Sequence, residues 1–578
     1  MSSPFGAPLV SMSSTSTLEN KTGSWKYIRP MYRDAVAPCN QACPAGVDVQ
    51  GYLNLLRQDR LDDALELLMR ENPMPAITGR VCHHPCEAGC NRREFDAAVA
   101  VHAIERAVGD EILSRAHPSA PERTHDARVA IVGAGPAGLS AAYHLARLGY
   151  GVTVYDEAEE AGGMLRQGIP SYRLPREILD RQIERYESMG IEIQTGVRLE
   201  GDAAREELEG YDAVFLATGA HKGRPLGVPG EDGPGVVPGL DFLKAVNRGN
   251  RPDLGHRVAV IGGGNTAMDC ARTALRLGSE PIVVYRRTRE QMPAIDQEVE
   301  EAMAEGIEFV FLASPESFHH EDGRLDRMHV TRMELGEPDE SGRRRPVPID
   351  DGGFSIEVDT VLTAIGEETE LDVLPGAFEE EWGAVTVDAL GATSAPAFFA
   401  GGDVAGEDRT VSDALGSGKR AAIGIDRYLR GLTDEAADPD GAVDALRWGA
   451  GNVSISRYRG DDPVRRTDPT NEVVDIPELQ LAHFRHEARA EERTKNGPMD
   501  FGEVNLGLDL AEAVAEAKRC FNCAVCNDCE VCLVFCPDNA IRRKPEGGFE
   551  VDMDYCKGCG LCAEECPRGA IVMTREGL

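Results

Sequence analysis

The sequence has no long apolar run, no basic leader and too few basic residues to balance its acidic ones. Of 578 residues, 61 are Lys or Arg and 98 are Asp or Glu, so the formal net charge at pH 7 is −37. Nucleic acids and anionic membranes bind proteins through Lys and Arg, and this charge argues against both as partners. Because no stretch of about 18 residues is apolar, no membrane-spanning helix is predicted. The absence of a basic segment followed by an apolar one argues against a signal peptide.

Cysteine, in contrast, is plentiful and concentrated towards the two ends of the chain. Of the 16 cysteines, only Cys270 lies outside these regions. The C-terminal region contains two C-x2-C-x2-C-x3-C-P runs, the spacing of bacterial ferredoxins with two [4Fe-4S] clusters. In that pattern the fourth cysteine of each run binds the cluster of the other run; zinc or disulfides are the alternative. The predicted ligand sets are Cys526, Cys529, Cys532 and Cys566 for one cluster, and Cys556, Cys559, Cys562 and Cys536 for the other.

A dinucleotide-binding fingerprint begins at residue 128. The sequence RVAIVGAGPAG (128–138) is an apolar strand followed by G-x-G-x-x-G, and a helix and a second strand lead to Asp156. Such glycines let backbone N–H groups approach a pyrophosphate at a helix N-terminus, while the acid binds a ribose. Two later strands end at Gly219 and Gly402, where the backbone can pass close to a bound group. The predicted contacts from the first loop are Gly133, Gly135, Pro136, Ala137, Gly138 and Asp156.

A second fingerprint, RVAVIGGGNTAMD (257–269), has the variant G-x-G-x-x-A. The strand after it, PIVVYRR, ends in two arginines where the first fingerprint has its acid. Guanidinium groups bind a 2′-phosphate in place of ribose hydroxyls, so the first loop is predicted to hold FAD and the second NADPH. The alternative for the arginines is a solvated basic turn. The predicted NADPH contacts are Gly262, Gly264, Asn265, Thr266, Ala267, Arg286 and Arg287.

Residues 128–430 resemble the small subunit of glutamate synthase and related flavin domains. The matching stretches are VAIVGAGPAGLSAAYHLA, GGMLRQGIPSYRLP, FLATGA, VIGGGNTAMDCAR, VYRRTREQMPA and FAGGDV. This resemblance implies that the NADPH domain is inserted within the FAD domain. It also implies further FAD contacts at Gly162, Gly163, Asp403 and Val411.

The N-terminal cysteines resemble the iron–sulfur domain of the same family, which is also found in dihydropyrimidine dehydrogenase. That domain usually carries eight cysteines, or seven plus Glu or Gln, whereas this chain has five. Its opening C-x2-C is absent here, but EAVAEAKRCFNC (512–523) looks like the missing piece. We therefore predict that the C-terminal segment folds back to complete the site; the alternative is a single N-terminal cluster. The two predicted ligand sets are Cys43, Cys82, Cys86 and Glu105, and Cys39, Cys90, Cys520 and Cys523.

The predicted fold class is α/β, with two Rossmann-like domains for FAD and NADPH, an N-terminal α-helical iron–sulfur domain and a C-terminal ferredoxin-like domain with two [4Fe-4S] clusters. A helix is predicted near 478–493. The predicted boundaries are a disordered tail at 1–24, the helical iron–sulfur domain at 25–120, the FAD domain at 121–240 and 386–433, the inserted NAD(P)H domain at 241–385, a linker at 434–515 and the ferredoxin-like domain at 516–578.

This layout predicts a cytoplasmic NAD(P)H:acceptor oxidoreductase subunit, because cysteine-ligated clusters need reduced thiolates. The cofactors would supply the chemistry, so no catalytic side chain is expected. With its two C-terminal clusters the chain most resembles the NADP-reducing subunit of 2-oxoacid oxidoreductases and the iron–sulfur flavoprotein of dissimilatory sulfite reductase. The expected partner is the catalytic part of such a hetero-oligomer, or a ferredoxin. The alternatives are a glutamate synthase small subunit, an electron-bifurcating transhydrogenase subunit and a non-catalytic iron–sulfur scaffold.

Overall fold

The computed structural model describes residues 28–338, 342–371, 378–406, 408–432, 443–460, 470–495, 499–545 and 547–575. The tail predicted at 1–24 lies outside these residues. The chain divides into two compact units. The cysteine-rich unit comprises Met1–Ala116, Thr410–Arg493 and Gly507–Leu578, and the two-sheet unit comprises His117–Arg409 and Thr494–Leu506.

The described strands are mostly short. In chain order they are β1 Ile28–Tyr32, β2 Arg128–Val132, β3 Gly151–Tyr155, β4 Glu192–Gln194, β5 Ala213–Leu216, β6 Lys222–Gly223, β7 Val236–Pro238, β8 Arg257–Ile261, β9 Glu280–Tyr285, β10 Glu308–Phe311, β11 Ala313–Glu321, β12 Arg324–Pro338, β13 Arg344–Glu357, β14 Thr360–Thr363, β15 Glu367–Glu368, β16 Glu380–Glu381, β17 Ala384–Val385, β18 Phe398–Ala400, β19 Arg493–Thr494, β20 Asn505–Gly507, β21 Ile541–Arg543, β22 Phe549–Val551 and β23 Ile571–Arg575.

The described α-helices are α1 Pro38–Ala42, α2 Val49–Arg57, α3 Leu61–Glu71, α4 Pro75–Val81, α5 Pro85–Ala88, α6 Val101–Ser114, α7 Pro136–Arg147, α8 Met164–Gln167, α9 Arg176–Ser188, α10 Gly201–Leu208, α11 Gly239–Asn247, α12 Asn265–Arg276, α13 Asp296–Ala304, α14 Val411–Leu429, α15 Ile455–Arg459, α16 Leu510–Ala517, α17 Val531–Phe535 and α18 Leu561–Glu564. Among the residues that the structure describes, none of the helices combines the length and the apolar character needed to cross a membrane.

The two-sheet unit contains two five-stranded parallel sheets. The first has the strand order β18-β5-β2-β3-β4 and the second has the order β10-β9-β8-β14-β7. The central strands β2 and β8 read RVAIV and RVAVI, and each is buried after its first residue. Parallel strands covered on both faces favour such continuous β-branched runs. Because β18 pairs with β5, the chain forms the whole second sheet between these two neighbours, and the predicted α/β class is confirmed.

In the cysteine-rich unit the two ends of the described chain lie together. Strand β1 pairs antiparallel with β23, with Tyr32 opposite Ile571 and Ile28 opposite Arg575. Helix α16, just before the C-terminal cysteines, packs against the N-terminal helices α2 and α6. The C-terminal segment therefore returns to the N-terminal helices, and the predicted shared cysteine site depends on this return.

The prediction of a helix near 478–493 is wrong. The segment forms two single-turn 3-10 helices and then has no regular secondary structure until β19. Side chains from the N-terminal region bind its backbone: Arg92 Nη2 donates to the Arg485 carbonyl at 2.9 Å, and the Glu487 N–H donates to Asp96 at 3.0 Å. Because backbone groups pair with whatever partner is at hand, these bonds replace the ones that a helix would form.

Candidate functional site

The first glycine loop joins β2 to α7 at the carboxyl edge of the first sheet. Gly133 has a φ of +110°, and a Cβ there would lie 2.3 Å from the Ala217 carbonyl oxygen. Only glycine fits such a position without strain. Gly135 precedes α7, which begins with Pro136 and Ala137. The unpaired N–H groups of this first turn give the loop the character of an anion-binding site.

Asp156 and the Gly162–Gly163 pair lie beside the same loop. The Asp156 carboxylate accepts the Ala134 N–H at 2.6 Å, and the Gly162 N–H donates to the Ala134 carbonyl at 2.9 Å. Burial raises the pKa of Asp156 above its usual value. A Cβ on Gly163 would lie 2.7 Å from the Gly135 Cα, so this close approach needs glycine. The fold thus brings predicted FAD contacts from three parts of the sequence to one loop.

The remaining predicted FAD contacts lie after β5, after β18 and at the start of α14. The Gly401 N–H donates to the last residue of β5 at 3.1 Å, so the ends of β5 and β18 are neighbours. Gly219 and Gly402 have φ values of +72° and +71°. Asp403 lies in the single 3-10 turn that follows β18. Val411 is the first residue of α14, which belongs to the cysteine-rich unit.

Replacing Gly133 with Ala is expected to abolish FAD binding. The added Cβ would collide with the backbone after β5 and displace the loop that approaches the pyrophosphate. The measurement is the FAD released per folded chain, with visible flavin absorbance as a second readout. Gly210→Ala is the control, because a Cβ there meets nothing within 4 Å. A Gly133→Ala protein with the full FAD content would show that this loop does not hold the flavin.

The second glycine loop repeats this geometry between β8 and α12. Gly262 has a φ of +145°, and a Cβ there would lie 2.1 Å from the Ala364 carbonyl oxygen. Gly264 precedes α12, as Gly135 precedes α7. The other predicted nucleotide contacts in the first turn of α12 are Asn265, Thr266 and Ala267.

The two arginines predicted to bind a 2′-phosphate lie in different environments. Arg286 is exposed, whereas Arg287 is buried and its Nε donates to the Arg344 carbonyl at 2.9 Å. A nearby third arginine, Arg289, forms an ion pair with Asp296 at 2.8 Å. The Arg286 guanidinium is therefore the one best placed to meet a ligand phosphate, and Arg287 holds the turn to β13.

The sheet register places a tyrosine where the sequence suggested an arginine. In the first sheet Val132, the residue before the loop, pairs with Tyr155, and Asp156 follows that pair. In the second sheet the residue before the loop pairs with Val284, so Tyr285 takes the corresponding position. Tyr285 therefore occupies the position in the second sheet that Asp156 occupies in the first. Arg286 lies one residue further along the chain.

The first N-terminal set, which we name the Glu105 group, consists of Cys43, Cys82, Cys86 and Glu105. Burial raises the pKa of Cys43 to about 11 and that of Cys82 to about 12, and the Glu105 carboxylate adds to both increases. Burial also raises the pKa of Cys86 well above its usual value, and the Cys43 and Cys82 thiols raise it further. The structure therefore brings this predicted ligand set together.

Glu105 has an environment that suits a ligand. Its Oε1 accepts hydrogen bonds from Thr78 Oγ1 and from Asn72 Nδ2, the latter at 3.1 Å. Desolvation raises its pKa to about 7. Both donors are neutral, and a desolvated carboxylate is costly unless it is protonated or lies against a cation. The His102 imidazolium offsets part of this cost, and iron at this position would supply further positive charge.

The second set, the Cys520 group, consists of Cys39, Cys90, Cys520 and Cys523. Burial raises the pKa of Cys39 well above its usual value, and the Cys520 and Cys90 thiols raise it further. The pKa of Cys523 rises to about 12 through burial and through the same two neighbours. The structure therefore places cysteines from both ends of the chain around one point, as the predicted fold-back requires.

The two C-terminal sets, which we name the Cys526 group and the Cys556 group, each line one cavity. In each set the fourth cysteine comes from the other run, which is the exchange that the ferredoxin spacing predicts. Each set lies in described residues, and the ligand roles stay predictions. The Cys526 group is Cys526, Cys529, Cys532 and Cys566, and the Cys556 group is Cys536, Cys556, Cys559 and Cys562.

The donor chemistry of these four groups fits [4Fe-4S] clusters. All sixteen cysteines lie in the described residues as free thiols. Across the described ranges, no three His, Cys, Asp or Glu side chains are arranged to hold a single metal ion. A cubane differs from a single ion because its thiolates bind separate iron atoms around a larger core. Backbone N–H groups also point at the sulfurs, as Asn522 does at Cys520 and Gly558 at Cys556, at 3.3 and 3.4 Å.

Side chains that are distant in the sequence also contact these groups and were missed by the sequence reasoning. The Tyr32 hydroxyl donates to Cys532 Sγ at 3.2 Å. Asn91 Nδ2 lies 3.6 Å from Cys523 Sγ, and Ser412 Oγ lies 3.6 Å from Cys82 Sγ. In each pair the partners are more than 300 residues apart in the sequence, so no local spacing could have indicated them.

Comparison with protein families agrees with this arrangement. Residues 127–418 match the family model for pyridine nucleotide-disulphide oxidoreductases. Residues 33–117 match the model for domain II of dihydropyrimidine dehydrogenase with its 4Fe-4S cluster, and residues 549–572 match the 4Fe-4S binding domain. These matches confirm the predicted fold class and the predicted kinds of cofactor.

Individual relatives cover most of the chain. The NADP(+)-dependent formate dehydrogenase subunit beta of Moorella thermoacetica is 40% identical, over 84% of this chain and 70% of that protein. The NADPH-Fe(3+) oxidoreductase subunit beta of Geobacter sulfurreducens is 37% identical, over 84% and 75%. The glutamate synthase [NADPH] small chain of Halomonas elongata is 37% identical, over 68% and 88%. The chain therefore belongs to the pyridine nucleotide-disulphide oxidoreductase family, as an iron–sulfur flavoenzyme whose cofactors are FAD, a pyridine nucleotide and [4Fe-4S] clusters.

Proposed function

We propose that this chain is the NADP(H)-linked subunit of a larger redox complex and exchanges electrons with a partner enzyme or ferredoxin. When bound, FAD exchanges a hydride with the nicotinamide and single electrons with the clusters, which is the chemistry of the cofactors. The chain binds these cofactors and fixes their order. The observation that carries the proposal is the assembly of four ligand groups within one compact unit.

The start of α14 supports a path from the flavin into the Glu105 group. Val411, a predicted flavin contact, is the first residue of α14, and the next residue, Ser412, lies 3.6 Å from Cys82 Sγ. The Glu105 group is therefore proposed as the first cluster of the relay after the flavin.

The short segment between the Cys520 group and the Cys526 group supports continuation of the electron path. Cys523 of the Cys520 group and Cys526 of the Cys526 group are separated by Ala524 and Val525, and both of these residues are buried. Two groups joined by so short and buried a segment lie side by side. Electrons that reach the Cys520 group would thus have a neighbouring acceptor.

The Cys556 group is the proposed contact point with the partner. Two apolar residues beside it are unusually open to solvent, Tyr555 at 62% and Met553 at 49%. Exposed apolar side chains that lie together at one site mark a surface suited to a protein partner. We place the electron exit at this end of the unit.

The identity of the partner is proposed from the relatives and from the two C-terminal clusters. Two relatives are named as beta subunits, one of a formate dehydrogenase and one of an Fe(3+) oxidoreductase, which supports assembly with another subunit. The catalytic subunits of a 2-oxoacid oxidoreductase and a dissimilatory sulfite reductase are the other candidates. We place the complex in the cytoplasm because its thiolate ligands must stay reduced.

Anaerobic addition of NADPH to the oxidised protein tests this function. We expect NADPH to remove the visible flavin absorbance rapidly. The reason is that the nucleotide loop and the flavin loop belong to one folded unit. NADH at the same concentration is expected to act more slowly. A protein that keeps its flavin absorbance with either nucleotide would instead be a scaffold whose clusters are structural.

A further inference from the structure

Arg568 occupies a position between two of the predicted cluster sites. It follows the final Cys-Pro pair, its side chain is 4% exposed, and it lines the cavity of the Cys526 group. Its guanidinium lies over the Phe484 ring, which packs against the buried cluster that contains Cys523, and the Cys520 and Cys523 thiols act on its charge. A single buried positive charge is thus shared by two sets of thiol ligands.

The packing of Arg568 leaves one of its donors without a protein partner. Its Nε donates to Asn527 Oδ1 at 3.3 Å, and its Cζ lies 4.9 Å from the centre of the Phe484 ring. Its carbonyl accepts the Ala524 N–H at 2.7 Å, which fixes the backbone. The Nη1 atom is buried and has no hydrogen-bond partner among the described residues. A buried charged donor of this kind is costly unless a bound group accepts from it.

A second guanidinium increases this cost. Arg57, at the end of α2, acts on Arg568 as a like charge. Its Nη1 is also buried without a hydrogen-bond partner in the described part of the chain. Two like charges at buried or half-buried positions destabilise a fold unless an anion offsets them. The thiols of Cys529, Cys520 and Cys523 act on Arg568 in the opposite sense, and all three are predicted cluster ligands.

A bound cluster would supply the missing negative charge. Four thiolates outweigh the charge of the iron–sulfur core, so the ligated cluster is an anion in both of its redox states. Reduction adds one further negative charge, and a fixed cation nearby stabilises that state. Net charge and hydrogen bonds to sulfur are among the factors that set cluster potentials.

We propose that Arg568 is a positioning residue that links the clusters of the Cys520 and Cys526 groups electrostatically. Its charge stabilises the reduced form of both clusters, and its orphaned Nη1 donates to sulfur of one of them. The same charge therefore raises both reduction potentials, and an electron passes between the N-terminal and C-terminal parts of the relay. This inference rests on the proposed function, because it requires clusters in both groups.

The test is a redox titration of the full-length holoprotein, followed by low-temperature electron paramagnetic resonance. In Arg568→Gln the one-electron reduction equilibrium of two clusters is expected to shift at least tenfold towards the oxidised form, or 59 mV for one electron. The other clusters are expected to keep their potentials. Arg543→Gln is the matched control, because this arginine interacts with Cys526 but has a side chain that is 46% exposed. Solvent screening limits its expected shift to less than twofold.

A second variant separates charge from folding. Arg568→Lys retains the positive charge and is expected to keep potentials within about threefold of the wild type in the reduction equilibrium. If Arg568→Gln loses iron, full iron and near-wild-type potentials in Arg568→Lys would still support the proposal. Loss of the same iron in Arg568→Lys would overturn it, as would unshifted potentials in an iron-complete Arg568→Gln. Wild-type protein that binds only three clusters would overturn this inference but not the proposed function, whereas wild-type protein that NADPH fails to reduce would refute the proposed function itself.

Discussion

Substitution of Arg286 by Ala is expected to raise the KM for NADPH about tenfold to hundredfold and to leave the KM for NADH unchanged. A hydrogen bond to a charged group contributes about 1.5–3 kcal/mol, which corresponds to that range of affinity. Arg286 directly follows β9 and is exposed, so a 2′-phosphate can reach its guanidinium. Steady-state kinetics of flavin reduction with each nucleotide gives both constants.

Two comparisons make this prediction specific. Arg257, at the amino end of the neighbouring strand β8, has a side chain that is 41% exposed, so Arg257→Ala removes a similar charge from the opposite edge of the sheet. It is expected to change neither KM. Arg287→Ala is expected to lower thermal stability, because it removes the buried bond to the Arg344 carbonyl. An equal loss for NADPH and NADH in Arg286→Ala would refute the phosphate role.

Substitution of Cys559 by Ala is expected to stop electron exchange with the partner while NADPH still reduces the flavin. Cys559 lines the cavity of the Cys556 group, and a cubane that loses one of its four thiolates loses its hold on the protein. The glycine loops lie in the other compact unit and keep their geometry. We expect about four fewer iron atoms per chain and a loss of at least about a hundredfold in the rate of partner reduction, equivalent to roughly 2.7 kcal/mol.

The control for this variant is Cys270→Ala. Cys270 is fully buried in α12, and its Sγ lies 3.5 Å from the Gly239 carbonyl. It is the one cysteine outside the four groups, so its removal is expected to leave iron content and partner reduction unchanged. The partner is the protein that co-purifies with the wild-type chain. Normal reduction of that partner by Cys559→Ala would show that electrons leave by another route.

Local sequence patterns were sufficient for much of the fold and of the candidate site. The glycine loops could be identified because a positive φ and a close backbone approach, as at Gly133 and Gly262, exclude every residue with a side chain. The C-terminal ligand sets could be listed because three of four thiols come from one tight loop. The cysteine count also pointed to the return of the C-terminal segment, since Cys520 and Cys523 were surplus to the ferredoxin runs.

Features that depend on tertiary contacts could not be predicted from the sequence. The non-helical path after residue 483 is fixed by bonds with Arg92 and Asp96, and the sequence of the segment alone does not reveal these bonds. The position of Tyr285 depends on a strand register set across the sheet. The contacts of Arg568 join segments that are far apart in the chain, so only the folded structure shows that its charge faces two cysteine groups.

The iron and FAD content of the anaerobically purified chain tests the proposed relay most directly. Four groups of four ligands predict about sixteen iron atoms and one FAD per chain. About twelve iron atoms would show that Cys520 and Cys523 do not complete a second N-terminal cluster, and the continuous path from flavin to C-terminus would then be contradicted. A protein without iron or FAD would contradict the whole assignment.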